Sequence, residues 1–282
     1  MSTADLKPEH KNNSHAANAP RKRSVVAEFR KKIDKKTKQS KGWAFVLKLV
    51  WVVMMGVWIW AVLMAVQLLM SLLLIYVFRL NDATWLSSNA LQTLYSAIVY
   101  VVALLLIVFI PWRVAKSKTT RDELGLRGLP TWTDILLAPV GFIVFMILAV
   151  ALTAVMQAVL PNIDWNEAQD VGYTALLTQS DFILAFLSLV VIAPIAEEII
   201  FRGWLYGKLR AKIPAFPAMI AVSVLFGLVH GQWNVGVTVF VMSLAMCTIR
   251  EITGTIWGGV LVHIIKNALA FYLLYVNPVM IQ

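Results

Sequence analysis

Two adjacent glutamates, Glu197 and Glu198, stand with Arg202 in a stretch from Phe182 onward that is otherwise almost entirely apolar. A charge in hydrocarbon costs about 2.5–3.5 kcal/mol on insertion scales unless it is paired or wetted, so ionisable groups there are functional candidates. On a helix, residues four apart share a face, and successive residues diverge by about 100°. Glu198 and Arg202 can therefore form an ion pair in the favourable acid-first order. Glu197 points elsewhere, with Phe201 as its own neighbour one turn on. The spacing predicts that Glu198 is neutralised by Arg202, while Glu197 is left to face a polar cavity and act as a general base. A Glu–Arg pair that only holds helices in register is the structural alternative.

Two further apolar stretches carry isolated polar groups. His230 lies at the end of one, with Phe226 one turn before it, and alone it would read as a hydrogen-bonded structural residue. His263 and Asn267 are four apart in the last stretch and so share a face. Lys266 is one residue off that face, where it could snorkel, pair with a carboxylate or border a substrate groove. Counting ~1.5 Å per residue from Lys208, Pro217 and Arg250 puts Glu197 at ~16 Å, and His230 and His263 at ~20 Å. Three separate stretches thus bring their polar groups to about one plane of the bilayer, which accident explains poorly. Such a set supports hydrolysis in two ways. Glu197, His230 and His263 could ligate a divalent metal such as zinc with an open position for water. Alternatively, Glu197 and His230 activate water directly, and His263 and Asn267 donate to a developing oxyanion. Asn is a poor zinc ligand and a good amide donor, which favours the second.

The elements that must hold these groups are membrane helices. The chain has 282 residues, 60% hydrophobic and 14% charged, with mean hydropathy +0.75. A soluble domain has about 45–50% apolar and about 25% charged residues, so the composition predicts an all-α, polytopic transmembrane bundle. Apolar runs predict about seven spans, near 45–79, 92–112, 134–160, 181–207, 214–232, 234–249 and 255–276, with 234–249 the shortest. Basic residues cluster in 1–42, 113–133 and 208–212, whereas 161–181 holds four acids and no base. The positive-inside rule then predicts a cytoplasmic N-terminus and an external C-terminus.

The net charge of +10 is concentrated in residues 1–42, which hold 12 Lys/Arg against 4 Asp/Glu and few large apolar residues. They read as a disordered, basic cytoplasmic tail whose simplest partner is anionic lipid at the membrane surface. Nucleic acid is the weaker reading. The lone Cys247 excludes a disulfide framework and reads as a small buried hydrophobe. Residues 43–120 are then accessory transmembrane helices, and 121–282 the functional domain, with its core in 181–276.

In these residues the chain resembles the CPBP or Abi family of CAAX prenyl endopeptidases and bacteriocin-processing or immunity membrane proteins. Glu197-Glu198-Ile-Ile-Phe-Arg202 with Gly203, Phe226-Gly-Leu-Val-His230 and His263-Ile-Ile-Lys-Asn267 match its three elements in order. Leu124-Gly-Leu-Arg127 resembles a further element upstream. The resemblance implies an intramembrane endopeptidase acting on membrane-associated peptides or protein tails. It assigns water activation to Glu197 and His230, oxyanion binding to His263 and Asn267, and support to Glu198 and Arg202. A non-catalytic immunity or membrane-protein-binding scaffold of the same fold is the alternative. A proton or ion relay through the same residues is a third reading.

Overall fold

The computed structural model of the protein describes residues 19–80, 88–167, 169, 171–173 and 176–277, and all regular structure among them is helical. Helix α1 runs Ala19–Leu72, α2 Asn89–Ala115, the short α3 Arg121–Leu124 and α4 Trp132–Val159. They are followed by α5 (Gln179–Arg210), α6 (Ala215–Leu228), α7 (Trp233–Thr253) and α8 (Trp257–Val276). Residues 1–50 and 51–282 form separate compact units, and all the candidate chemistry lies in the second.

Among the described residues, six helices are long and apolar enough to cross a membrane: Trp43–Val77, α2, α4, α5, α7 and α8. Their outward faces expose large apolar side chains such as Leu136, Ile147 and Val150, as befits surfaces solvated by lipid rather than water. The protein is an integral membrane protein. Two expectations change in detail. The segment taken as shortest, 234–249, is part of the 21-residue α7. The segment expected over 214–232 is instead the 14-residue α6, because the chain turns after Leu228 through Gly231, whose φ of +68° suits glycine. The tail expected to be disordered is helical from Ala19, and residues 1–18 lie outside the described residues. Its Ala, Lys, Arg and Gln are good helix formers, and a helix already nucleated downstream extends into them easily.

Polar caps decide where the spans begin. Thr131 and Asp134 form a reciprocal capping box at the start of α4, and Thr178 and Asp181 form one at the start of α5. The second box anchors the helix that carries the glutamate pair. Within α5 the winding widens to π-type turns over Leu187–Ile192 and Ile199–Leu205, on either side of that pair. Such turns are rare and concentrate at functional sites.

Segments expected on one side of the bilayer meet one another. Lys208 of α5 pairs with Glu123 at 2.9 Å, Arg250 of α7 donates to the Glu123 carbonyl, and the Ile256 amide donates to Gly125. Leu124-Gly-Leu-Arg127 thus belongs to a clasp tying α5, α7 and α8 together. At the other end, Asn234 donates to the carbonyls of Trp165 and Glu167, and Tyr275 donates to that of Tyr173.

Glycines bring the central helices close. A Cβ on Gly227 of α6 would lie 2.8 Å from the Gly236 carbonyl of α7, so the two backbones pack directly. A Cβ on Gly259 of α8 would sit 3.0 Å from Glu198 Oε2. Cys247 is buried, as expected of a small hydrophobe.

Candidate active site

Adjacent positions on α5 send the two glutamates into different surroundings. The Glu198 side chain is 0% exposed and accepts from Arg202 Nη1 at 2.9 Å, the i,i+4 pair that the spacing predicts. Arg202 is equally buried, and its guanidinium stacks 4.1 Å from the centre of the Phe226 ring. Glu197 is 19% exposed and lines a cavity of about 490 Å³. Tyr100 of α2 donates its hydroxyl to Glu197 Oε1 at 2.7 Å. That leaves Oε2 for another partner.

His263 joins the two carboxylates. Its Nδ1 lies 3.1 Å from Glu198 Oε1, and its Nε2 lies 3.9 Å from Glu197 Oε2. A carboxylate held by arginine only accepts, so the Nδ1–H donates to it and Nε2 faces the cavity. His230 lies in the turn after α6 rather than inside a helix, and its Nδ1–H donates 2.7 Å to the Phe226 carbonyl. Nε2 of His230 is then free as an acceptor. Phe226 is the common wall, 4.9 Å from the His230 ring and 6.0 Å from the His263 ring, centroid to centroid. Asn267, one turn beyond His263, donates one amide proton to the Leu189 carbonyl of α5 at 2.8 Å. Its second amide proton is left for the cavity.

Glu197, His230, His263 and Asn267 all line this one cavity, together with Tyr100 and Lys266. A second cavity of about 430 Å³ on the α1–α2 side shares Glu197, His230 and Tyr100 and adds Gln67, Tyr95 and Ser96. Glu197 and His230 thus border space on both sides. The donor types suit zinc, but no three His, Cys, Asp or Glu side chains among the described residues converge closely enough to hold a metal ion. In this arrangement the set does not fit a metal, and no step below is routed through one.

Residues 179–269 match the family model described as type II CAAX prenyl endopeptidase Rce1-like. The matched segment runs from α5 into α8 and contains Glu197, Glu198, Arg202, His230, His263 and Asn267. Over that segment the chain is thus similar to the CAAX prenyl endopeptidases that its motifs resemble. Beyond it, the chain is similar to "Putative membrane peptidase YdiL" of Bacillus subtilis, with 26% identity over 182 residues, 62% of this chain and 69% of that protein. It is also similar to "UPF0177 protein YxdF" of Lactococcus lactis, with 30% identity over 127 residues, 45% of this chain and 66% of that one. No solved structure matches the chain.

The matched segment does not contain every group at the cavity. Tyr100 comes from α2, in the region read as accessory from the sequence. Its signal was there to be weighed: a phenol at mid-depth in an apolar helix needs a hydrogen-bond partner. Which partner it finds depends on how α2 packs against α5. Asn166 and Gln169, from the loop between α4 and α5, also line the cavity, and nothing in that loop's spacing announces them.

Proposed function

We propose that the protein is an intramembrane endopeptidase in which Glu197 activates water for attack on a peptide bond. One observation carries the reading: Glu197 lines a cavity shared with His230, His263 and Asn267, with His263 Nε2 3.9 Å from its Oε2, while its neighbour Glu198 is fully buried and its Oε1 is held by Arg202 and His263. Water sits between Glu197 Oε2 and His230 Nε2, both of which accept. Glu197 takes the water proton as the oxygen attacks the scissile carbonyl carbon. The tetrahedral oxyanion accepts from the free amide proton of Asn267 and from His263. Because Nδ1–H of His263 is given to Glu198, Nε2 donates to the oxyanion when the ring carries both protons. Glu197 then returns its proton to the leaving amine, the C–N bond breaks, and the enzyme is restored.

The substrates are peptides or protein tails that reach the cavity from the membrane. The clasp end, where the basic loops lie, faces the cytoplasm, with the N-terminus on that side and the basic tail on anionic lipid. The test is cleavage of a peptide library by purified protein in liposomes, read by mass spectrometry. Wild-type cleavage that disappears in Glu197→Gln supports the reading. Equal product from both proteins, or rescue of a deletion phenotype by Glu197→Gln, overturns it in favour of a binding scaffold.

A further inference from the structure

One charged group at the cavity has no part in the steps above. Lys266 is half-buried on α8 and lines the cavity with Asn267 and Glu197, and Glu197 is the only carboxylate among the described lining residues. It makes no hydrogen bond or ion pair among the described residues. A cation at this depth is costly without a counter-charge, so its isolation is informative. The same protein shows how it neutralises a carboxylate when neutrality is all that is needed: Arg202 lies 2.9 Å from Glu198, both fully buried. Lys266 and Glu197, by contrast, line the same cavity without forming an ion pair. Two opposite charges kept separate in one cavity suit a ligand that brings a charge to one and a reacting bond to the other.

We propose that Lys266 binds a carboxylate of the substrate and so selects peptides that carry one close to the bond cleaved. The proposal rests on the endopeptidase reading and deepens it. The flexible lysine stem delivers a point charge that meets a carboxylate in several geometries, and the side chains of Asn166 and Gln169 on the same wall supply neutral polar contacts. The carboxylate comes either from an Asp or Glu side chain or from the peptide's own C-terminus. The chemistry is the same, and the experiment separates the two.

Four matched peptides decide it: one apolar sequence with an internal Glu or Gln, each ending in a free carboxylate or an amide. Wild-type protein is expected to favour one carboxylate source by about ten- to a hundred-fold in kcat/KM, the scale of a charge-assisted hydrogen bond. Lys266→Met should erase that ratio, and Lys266→Glu should shift it toward a Lys-bearing peptide. Thermal unfolding of each variant establishes that it is folded, and Lys266→Gln replaces any that is not. A ratio near one in the wild type, or the same ratio in Lys266→Met, overturns the proposal while leaving the peptidase intact. So does an equal fall on all four peptides, which would make Lys266 only a counter-charge for Glu197. If wild-type protein cleaves none of them, the endopeptidase reading falls instead. Binding of the same peptides, dansyl-labelled, then decides for Lys266. A carboxylate preference lost in Lys266→Met supports it, and no preference or a retained one refutes it.

Discussion

The two faces of α5 at the glutamate pair are made from nearly the same chemistry and behave as opposites. On the core face, Glu198, Arg202 and the His263 Nδ1 form a closed set with no exposed carboxylate, roofed by Phe226 and by the missing side chain of Gly259. On the cavity face, Glu197 accepts from the Tyr100 phenol, and its second oxygen faces the cavity with His263 Nε2 3.9 Å away. The difference teaches that burial and pairing, not residue type, separate a support from a reagent. A carboxylate that is fully buried and tied to an arginine is held as a support. One with a lone pair facing open space can take a proton.

This contrast can be broken from either side. The largest effect is expected from Glu197→Gln, which keeps shape and removes the base. Cleavage should fall by about 10²–10⁴-fold, the usual contribution of a general base, while thermal unfolding in detergent stays near wild type. A large loss of stability there would show Glu197 to be a structural residue like its neighbour. Arg202→Met should do the reverse. Removing one partner of a buried ion pair typically costs about 3–5 kcal/mol, so the protein should unfold at a markedly lower temperature. Activity per folded molecule would then report only indirect damage to His263.

Smaller effects sharpen the geometry. Asn267→Ala should lower kcat by about 10²–10³-fold with little change in KM if its free amide proton meets the oxyanion, as for other oxyanion donors. An effect confined to KM would move Asn267 from oxyanion binding to substrate binding. Tyr100→Phe deletes one hydrogen bond to a charged oxygen and keeps the ring, so a loss of about 10–100-fold in kcat is expected. Unchanged kinetics in Tyr100→Phe would mean that Glu197 holds its orientation through α5 alone.

Much of this architecture was legible without coordinates because each signal is local. Length and apolarity of runs need no partner to be recognised, so every expected span appears as a helix. The Glu198–Arg202 pair follows from i,i+4 spacing, and the shared depth of His230, His263 and Asn267 from residue counts. The errors also have local causes. The α6 boundary was read too long because Val229 is apolar, yet Gly231 had already turned the chain.

The amino-acid sequence by itself determined a helical membrane protein, the identity of four polar groups at matched depth, and the division between a glutamate paired with Arg202 and its neighbour. Those properties depend on hydropathy and on the helical repeat, which act within one segment. Tertiary structure alone decided that Tyr100 of α2 holds Glu197, that His263 turns Nδ1 to Glu198 and Nε2 to the cavity, and that Lys266 makes no ion pair among the described residues. Each of these depends on the distance between helices far apart in sequence. Those distances are set by packing, in which a glycine such as Gly259 or Gly227 admits a neighbour that any larger residue would hold away.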